Sequence, residues 1–307
     1  MKKLCVKLSY LIIPIAIWLI SIELVCRTQT SFGIKKHFLD TNLNSIEVLI
    51  LGSSHNQNAI NPEFLSKKTS NLAFGGQPVS IDYYLLDKYI DKMPHLNTVF
   101  LELSPHSFYR DLIPSAYNGH IYSILYNISY NTEAVSYKNY SLVLSDYEYF
   151  SSIFNSYCKT YKHNSVPIIN KFGFTKIDID GRFSSLKYDT AKINKTFVMG
   201  HRFTDISLLN SNKLFLRNSI IRCQRKGIKV ILITPPLYTT YMNQIPSDAK
   251  KEVASFTHEI VTEFGIKYFD YSCDKRFNIY DFKNDDHLNS NGAKKFCKII
   301  NDEILNN

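Results

Sequence analysis

Tryptophan is nearly absent from this chain: Trp18 stands alone against 21 tyrosines and 20 phenylalanines in 307 residues. The six cysteines are spread out, and no pair has metal-ligand spacing, so they argue against a cysteine-built metal site and for buried free thiols. Zinc-knuckle spacing, an RNA-binding aromatic signature and an arginine-rich helix are all missing, and the lysines are scattered. Nucleic acid is therefore not an expected partner, although the formal net charge is +9. That charge suits a membrane surface or an acidic polysaccharide, or is simply a solvated basic surface. Asp178 and Asp180 lack the following glutamate that a calcium loop needs. No His/Asp/Glu set has helical or close-loop ligand spacing, so no metal or other cofactor is expected. With 45% apolar and 21% charged residues, the composition is that of a globular protein.

Cleavage signals are also lacking. Lys2, Lys3 and Lys7 precede an uncharged stretch from Leu8 to Ile22, and after Glu23 come Leu24, Val25 and Cys26. That core is short of the about 20 residues of a spanning helix and long for a signal-peptide core, at the top of the usual range of about 7–15 residues. No small-x-small site follows, and bulky Leu24 and Val25 spoil Cys26 as a lipoprotein cysteine. The expectation is an uncleaved signal anchor over residues 1–26, a linker over 27–44, and a globular part outside the cytoplasm, periplasmic or extracellular. Secretion after cleavage is the alternative. Arg27, Lys35 and Lys36 weigh against this orientation, but the short cytoplasmic tail is favoured.

From residue 45 to 307, strands and helices alternate. The continuous apolar run at Ile46–Leu51 reads as a strand buried on both faces, and further strands are expected at about Ser70–Phe74, Thr98–Leu103, Lys229–Thr234 and Ile266–Phe269. Helices are expected from Asn61-Pro62, over Val79–Met93, from about Leu208 to Gly227, from Ser247 to Phe264, and from about Asn291 onward. Strands separated by helices imply right-handed crossovers and a parallel sheet covered on both faces. The alternation fails between about His106 and Met199, a segment rich in tyrosine, serine and asparagine with a turn at Asp178–Arg182. An inserted cap fits better than a structureless loop of that length.

Ligands of open parallel sheets bind beyond the carboxyl ends of the strands. Ser54 follows the first expected strand in Gly52-Ser53-Ser54-His55, Gly76 the second, Ser104 and His106 the third, and His287 the fifth, in Asp285-Asp286-His287-Leu288-Asn289. A serine needs a base to become a nucleophile, and histidine titrates in the right range. The backbone N–H at Ser53 and that of Gly76 could hold a developing oxyanion. Asn284 could orient His287 without supplying charge, whereas Asp286 or Asp285 could supply it.

These blocks resemble the SGNH, or GDSL, hydrolase superfamily. Gly52-Ser53-Ser54 matches its first block with serine in place of aspartate, Asn71–Gly76 resembles the oxyanion-glycine block, and His287 occupies the histidine position of the last block. Two departures stand out. Asn284 replaces the aspartate three residues before the histidine, and Glu102-Leu103-Ser104-Pro105-His106 replaces the Gly-x-Asn-Asp block, so the usual oxyanion asparagine is missing. With the N-terminal helix, the chain looks like the membrane-anchored extracytoplasmic branch that includes alginate O-acetylation proteins and the teichoic acid D-alanyl transfer protein. The resemblance implies a flavodoxin-like three-layer sandwich with a five-stranded parallel sheet and an inserted cap. It further implies an O-acyltransferase, with acetyl as the expected group, acting on a cell-surface or exported polysaccharide beside a membrane-bound O-acyltransferase partner. A carbohydrate esterase with the same residues, and a non-catalytic glycan-binding subunit, stay open. His55 reads as the start of the next helix, His106 as an oxyanion donor or a polar loop residue, and His201 and His258 as surface residues.

Overall fold

The computed structural model describes residues 2–109, 117–128, 137–162, 169–176, 181–198, 200 and 203–306. Asp178, Asp180 and His201 lie outside the described residues, and with them most of the turn expected there. In chain order the chain forms α1 (Lys2–Gln29), α2 (Ser31–Asn42), β1 (Val48–Ile50), α3 (Ser54–Ala59), β2 (Thr69–Asn71) and α4 (Val79–Tyr89). There follow β3 (Thr98–Glu102), α5 (Pro105–Phe108), α6 (Tyr117–Tyr126), α7 (Leu142–Ser145), α8 (Tyr147–Lys162), α9 (Arg182–Ser185) and α10 (Thr190–Thr196). The last elements are α11 (Ile206–Gln224), β4 (Lys229–Thr234), α12 (Thr239–Gln244), α13 (Ser247–Phe264), β5 (Lys267–Asp270) and α14 (Ser290–Ile300).

The chain divides into two compact units, one of residues 38–112 and 174–307, the other of residues 1–37 and 113–173. The first carries a five-stranded sheet in the order β2-β1-β3-β4-β5, with every pairing parallel. Helices flank the sheet, and the strand order is that of flavodoxin-like three-layer folds. The central strands are short because so few residues need to be apolar: Val48, Leu49 and Ile50 are fully buried, as are Val99, Phe100, Ile231, Leu232 and Ile233 or nearly so. Helix α14 closes one face through Ala293, Phe296, Cys297 and Ile300, spaced for one side of a helix and all buried. Burial of Phe296 and of Ile300 contributes roughly 1.5–3 kcal/mol each. The Asn289 side chain caps this helix by accepting from the Gly292 N–H at 3.0 Å.

The other unit is helical. Its core joins Ile22 and Cys26 of α1 to Ile121 of α6, Leu142 and Val143 of α7, and Phe150 and Phe154 of α8. Glu23 accepts from Ser141 Oγ at 2.9 Å, Leu142 N at 3.1 Å and Val143 N at 3.0 Å, and pairs with Arg27 at 2.6 Å. The polar stretch after residue 26 is helical, α1 running on to Gln29 and α2 following at once. Of the segment without α/β alternation, residues 113–173 group with the N-terminal helices and 174–199 with the sheet.

Candidate active site

Helix α3 begins at Ser54, directly after the sharp turn that ends β1. Gly52 at that turn has φ +133°, and a Cβ there would come within 2.6 Å of Glu102, so only glycine admits the glutamate. Glu102 is 2% exposed and accepts from Ser53 N at 2.7 Å, Ser53 Oγ at 2.6 Å, Asn56 N at 3.1 Å and Ser107 Oγ at 3.3 Å. Burying a carboxylate is costly without such donors. Here they lock the turn that presents Ser54. Gly52 N in turn donates to buried Asp82 at 2.9 Å, and Gln77 donates to the same oxygen at 2.5 Å, which ties the second block to the first. Burial pushes the Asp82 carboxyl well above the usual carboxylate range, with the Gln77 and Gly52 donors opposing.

These bonds change the role expected of Ser53. Its N–H and its hydroxyl are both spent on Glu102, and its oxygen caps α3 by accepting from His55 N at 3.4 Å. Ser53 builds the turn rather than an oxyanion hole. Ser54 is half-buried, and its Oγ makes no hydrogen bond among the described residues. A Cβ built on Gly75 would sit 3.9 Å from Ser54 Cβ, so the second-block glycines pass beside it. Gly76 adopts φ +77°, a conformation glycine takes without strain.

The loop before α14 is drawn into a tight turn by Lys283 N donating to the His287 carbonyl at 3.0 Å. That closure places two acceptors on one ring nitrogen: Asp286 Oδ1 lies 2.9 Å and Asn284 Oδ1 3.0 Å from His287 Nδ1. The proton therefore resides on Nδ1, leaving Nε2 as the basic nitrogen, and Nε2 is buried without a hydrogen-bond partner. Burial holds the His287 imidazole below its ordinary value, with Asp286 opposing. Burial would raise Asp286, but the hydrogen bond from His287 and the nearby His55 ring, 3.6 Å away, outweigh it and hold this carboxyl far below the usual range. At neutral pH the pair is an ionised carboxylate and a neutral base.

Asp285 is engaged elsewhere. Its carboxylate takes the Arg182 guanidinium and the Thr240 hydroxyl, so it does not touch His287. Arg182, at the start of α9, pins the loop from outside, and Phe183 N adds a bond to the Lys283 carbonyl at 3.0 Å. Nothing in the sequence around Arg182 marked this contact, because the pairing joins positions 103 residues apart.

His55 is the residue that sequence reasoning undervalued. It is 1% exposed, with Nδ1 3.1 Å from Ser104 Oγ and Nε2 3.6 Å from Asp286 Oδ2. Its ring lies 4.3 Å from that of His106 and 5.4 Å from that of His287, centroid to centroid. Asp286 is thus shared between two imidazoles. His106 is 2% exposed, its Nε2 3.3 Å from Ser53 Oγ and its Nδ1 3.4 Å from the Tyr241 hydroxyl. The available signal was the recurrence of histidine just after strand ends, at 55, 106 and 287.

Two overlapping triplets, His55–Glu102–His106 and His55–Asp286–His287, each bring donor atoms within 4.8 Å of one another. Spacing along the sequence argued against a metal centre, yet the fold assembles nitrogen and carboxylate donors of the kind that hold zinc. In both triplets the carboxylate already serves protein donors. An ion in the first would displace the Ser53 hydroxyl, and one in the second would compete with the His287 proton.

A cavity of about 570 Å³ is lined by Leu103, Pro105, Leu237, Met242, Ile245 and Val253, among others, and by none of Ser54, His55, Asp286 or His287.

No family model matches the chain. No curated protein matches it either. A solved structure from Streptococcus pneumonia, provisionally described as a platelet activating factor, is similar at 11% identity and a TM-score of 0.40, covering 96% of this chain and 98% of the other. A likeness of that degree carries no inference about chemistry.

Proposed function

We propose that this protein is a serine-dependent acyl-transferring enzyme, with Ser54 as nucleophile and His287 as base, modifying a cell-surface or exported polysaccharide from a membrane-anchored position. One observation carries the reading: His287 has Nδ1 fixed by two acceptors and Nε2 buried without a partner, in the loop after β5, on the sheet whose first strand leads to Ser54. In the proposed reaction His287 Nε2 takes the Ser54 proton while Oγ attacks the acyl carbonyl carbon. The donor's C–O bond breaks, and the leaving oxygen receives that proton. A sugar hydroxyl then loses its proton to Nε2 and attacks the acyl-enzyme, returning Ser54 with its hydrogen. Asp286 stabilises the transient imidazolium, Asn284 orients the ring, and Gly76 N–H serves the oxyanion. His55 acts as a positioning residue, holding the far oxygen of Asp286.

Release of the acyl group to water, giving an esterase, uses the same steps with water as acceptor. The lack of a hydrogen bond on Ser54 Oγ favours one other reading, a glycan-binding subunit without turnover. Catalytic hydrogen bonds often tighten only when substrate is bound. Labelling with a serine-reactive probe separates these readings. The proposal expects covalent labelling of the wild type, abolished by Ser54→Ala, and surface polysaccharide from a Ser54→Ala strain depleted in O-acyl groups. Labelling and O-acyl content that do not depend on Ser54 would sink it.

A further inference from the structure

Helix α1 is apolar outward over one half and built into a folded unit over the other. From Leu8 to Ile20 most of its large side chains are exposed, whereas Ile22 and Cys26 are fully buried. It is the one helix among the described residues long and apolar enough to cross a membrane. Glu23 marks the change. A carboxylate is expensive in lipid, and Glu23 is instead satisfied by Arg27 and the start of α7. The hydrocarbon boundary therefore falls no further along α1 than Glu23.

Counting back from there gives a length test. From Lys3 to Glu23 a helix rises about 30 Å at about 1.5 Å per residue, which equals the thickness of a bilayer core. Lys7 then sits inside the opposite edge, where its long stem can carry the ammonium outward. Trp18 lies about 7–8 Å inside the Glu23 boundary on the same count. Yet α8 touches Trp18: Phe154 packs against its ring at 5.0 Å between centroids, and the Tyr147 hydroxyl accepts from its Nε1 at 3.4 Å. A helix that meets α1 at this level cannot stay clear of the lipid.

The apolar side of α8, Phe150 and Phe154, is turned to α1, and its exposed side carries Tyr147 at 52% and Tyr157 at 36% exposure together with Glu148, Ser152, Asn155, Ser156 and Lys159. A mixed tyrosine and polar surface suits the headgroup layer rather than the acyl chains, and tyrosine and tryptophan gather at that level. We propose that the helical unit is seated on the membrane, with α8 in the headgroup layer beside the emerging α1 and Lys159 on anionic lipid. This rests on the anchoring reading of α1 given above, and it adds that the unit itself is part of the membrane contact.

The single tryptophan makes the test direct. The full chain would be reconstituted in phosphatidylcholine–phosphatidylglycerol vesicles containing lipids brominated at shallow or deep acyl positions. Trp18 emission should be quenched at least about twofold more by shallow than by deep bromines, as expected of an interfacial ring. In a Trp18→Phe background, Tyr157→Trp should show the same shallow preference. A residue-157 tryptophan that neither shallow nor deep bromines quench, in protein that resists carbonate extraction, overturns the seating of α8 while leaving the anchor standing. Extraction by carbonate overturns the anchor and the seating together. If Tyr157→Trp misfolds, amide exchange across 147–159 of the unaltered chain decides. Slower exchange in vesicles than in detergent supports the proposal, and equal exchange overturns it.

Discussion

Glu102 in the sheet unit and Glu23 in the helical unit are both carboxylates saturated with donors, and they serve different ends. Glu102 gathers Ser53, Asn56 and Ser107, residues of two strand-end turns, and so shapes the place where Ser54 is presented. Glu23 gathers the first residues of α7, more than a hundred positions away, and so fixes an apolar helix to a folded unit. A buried carboxylate fastens whatever donors surround it. Whether it ends up supporting chemistry or assembly depends on which segments the fold delivers. The two units can be separated experimentally on that basis.

The widest separation should come from Ser54→Ala and His287→Ala. Under the proposed function each should lower acyl transfer by up to about 10⁶-fold, because nucleophile and base act as one device. Unfolding of the helical unit, followed by Trp18 emission, should not change. Comparable activity in either variant would end the comparison at its catalytic side.

Asp286→Asn should follow, with a loss of up to about 10⁴-fold, the size found when a triad carboxylate is removed. The sign of its pH effect is defined. Asp286 raises the His287 pKa against burial, so its loss should move the acidic limb of kcat/KM to lower pH. Asp285→Asn should leave that limb in place, since Asp285 meets Arg182 and Thr240 instead. A limb that shifts with Asp285 and not with Asp286 would reverse the assignment.

On the other side, Glu23→Ala strands the Leu142 and Val143 N–H groups, each costing about 1–3 kcal/mol when left unpaired and buried. Urea unfolding monitored at Trp18 should shift accordingly, with catalysis spared.

Lys35 gives the most specific test. It is buried in the helical unit, and burial pulls its pKa down to about 7. An unfolded lysine titrates at about 10.4, so between these values the unfolded chain binds the additional proton. Stability of the helical unit should therefore rise with pH from about 7 toward about 10.4 and fall as pH drops through that window. Lys35→Met should flatten the slope; an unchanged slope would mean that another group sets it.

Much of this molecule was legible in the linear chain. The runs Val48–Leu51, Val99–Leu101 and Val230–Ile233 are apolar without interruption, as a strand buried on both faces requires, and each overlaps an observed strand. Strand ends in a parallel sheet share one edge, so Ser54, His106 and His287 could be named before any contact was known. Contacts between distant positions were not legible. That Asp286 and not Asp285 meets His287 depends on a turn closed by Lys283 N and on Arg182 drawing Asp285 away. That His55 shares Asp286, that Glu102 consumes the Ser53 N–H, and that residues 113–173 fold with the N-terminal helices all depend on pairings across tens to more than a hundred residues. Periodicity reports which face of an element is buried and where the element stops. It holds no information on which partner buries it, and at this site the partner decides what each carboxylate and imidazole can do.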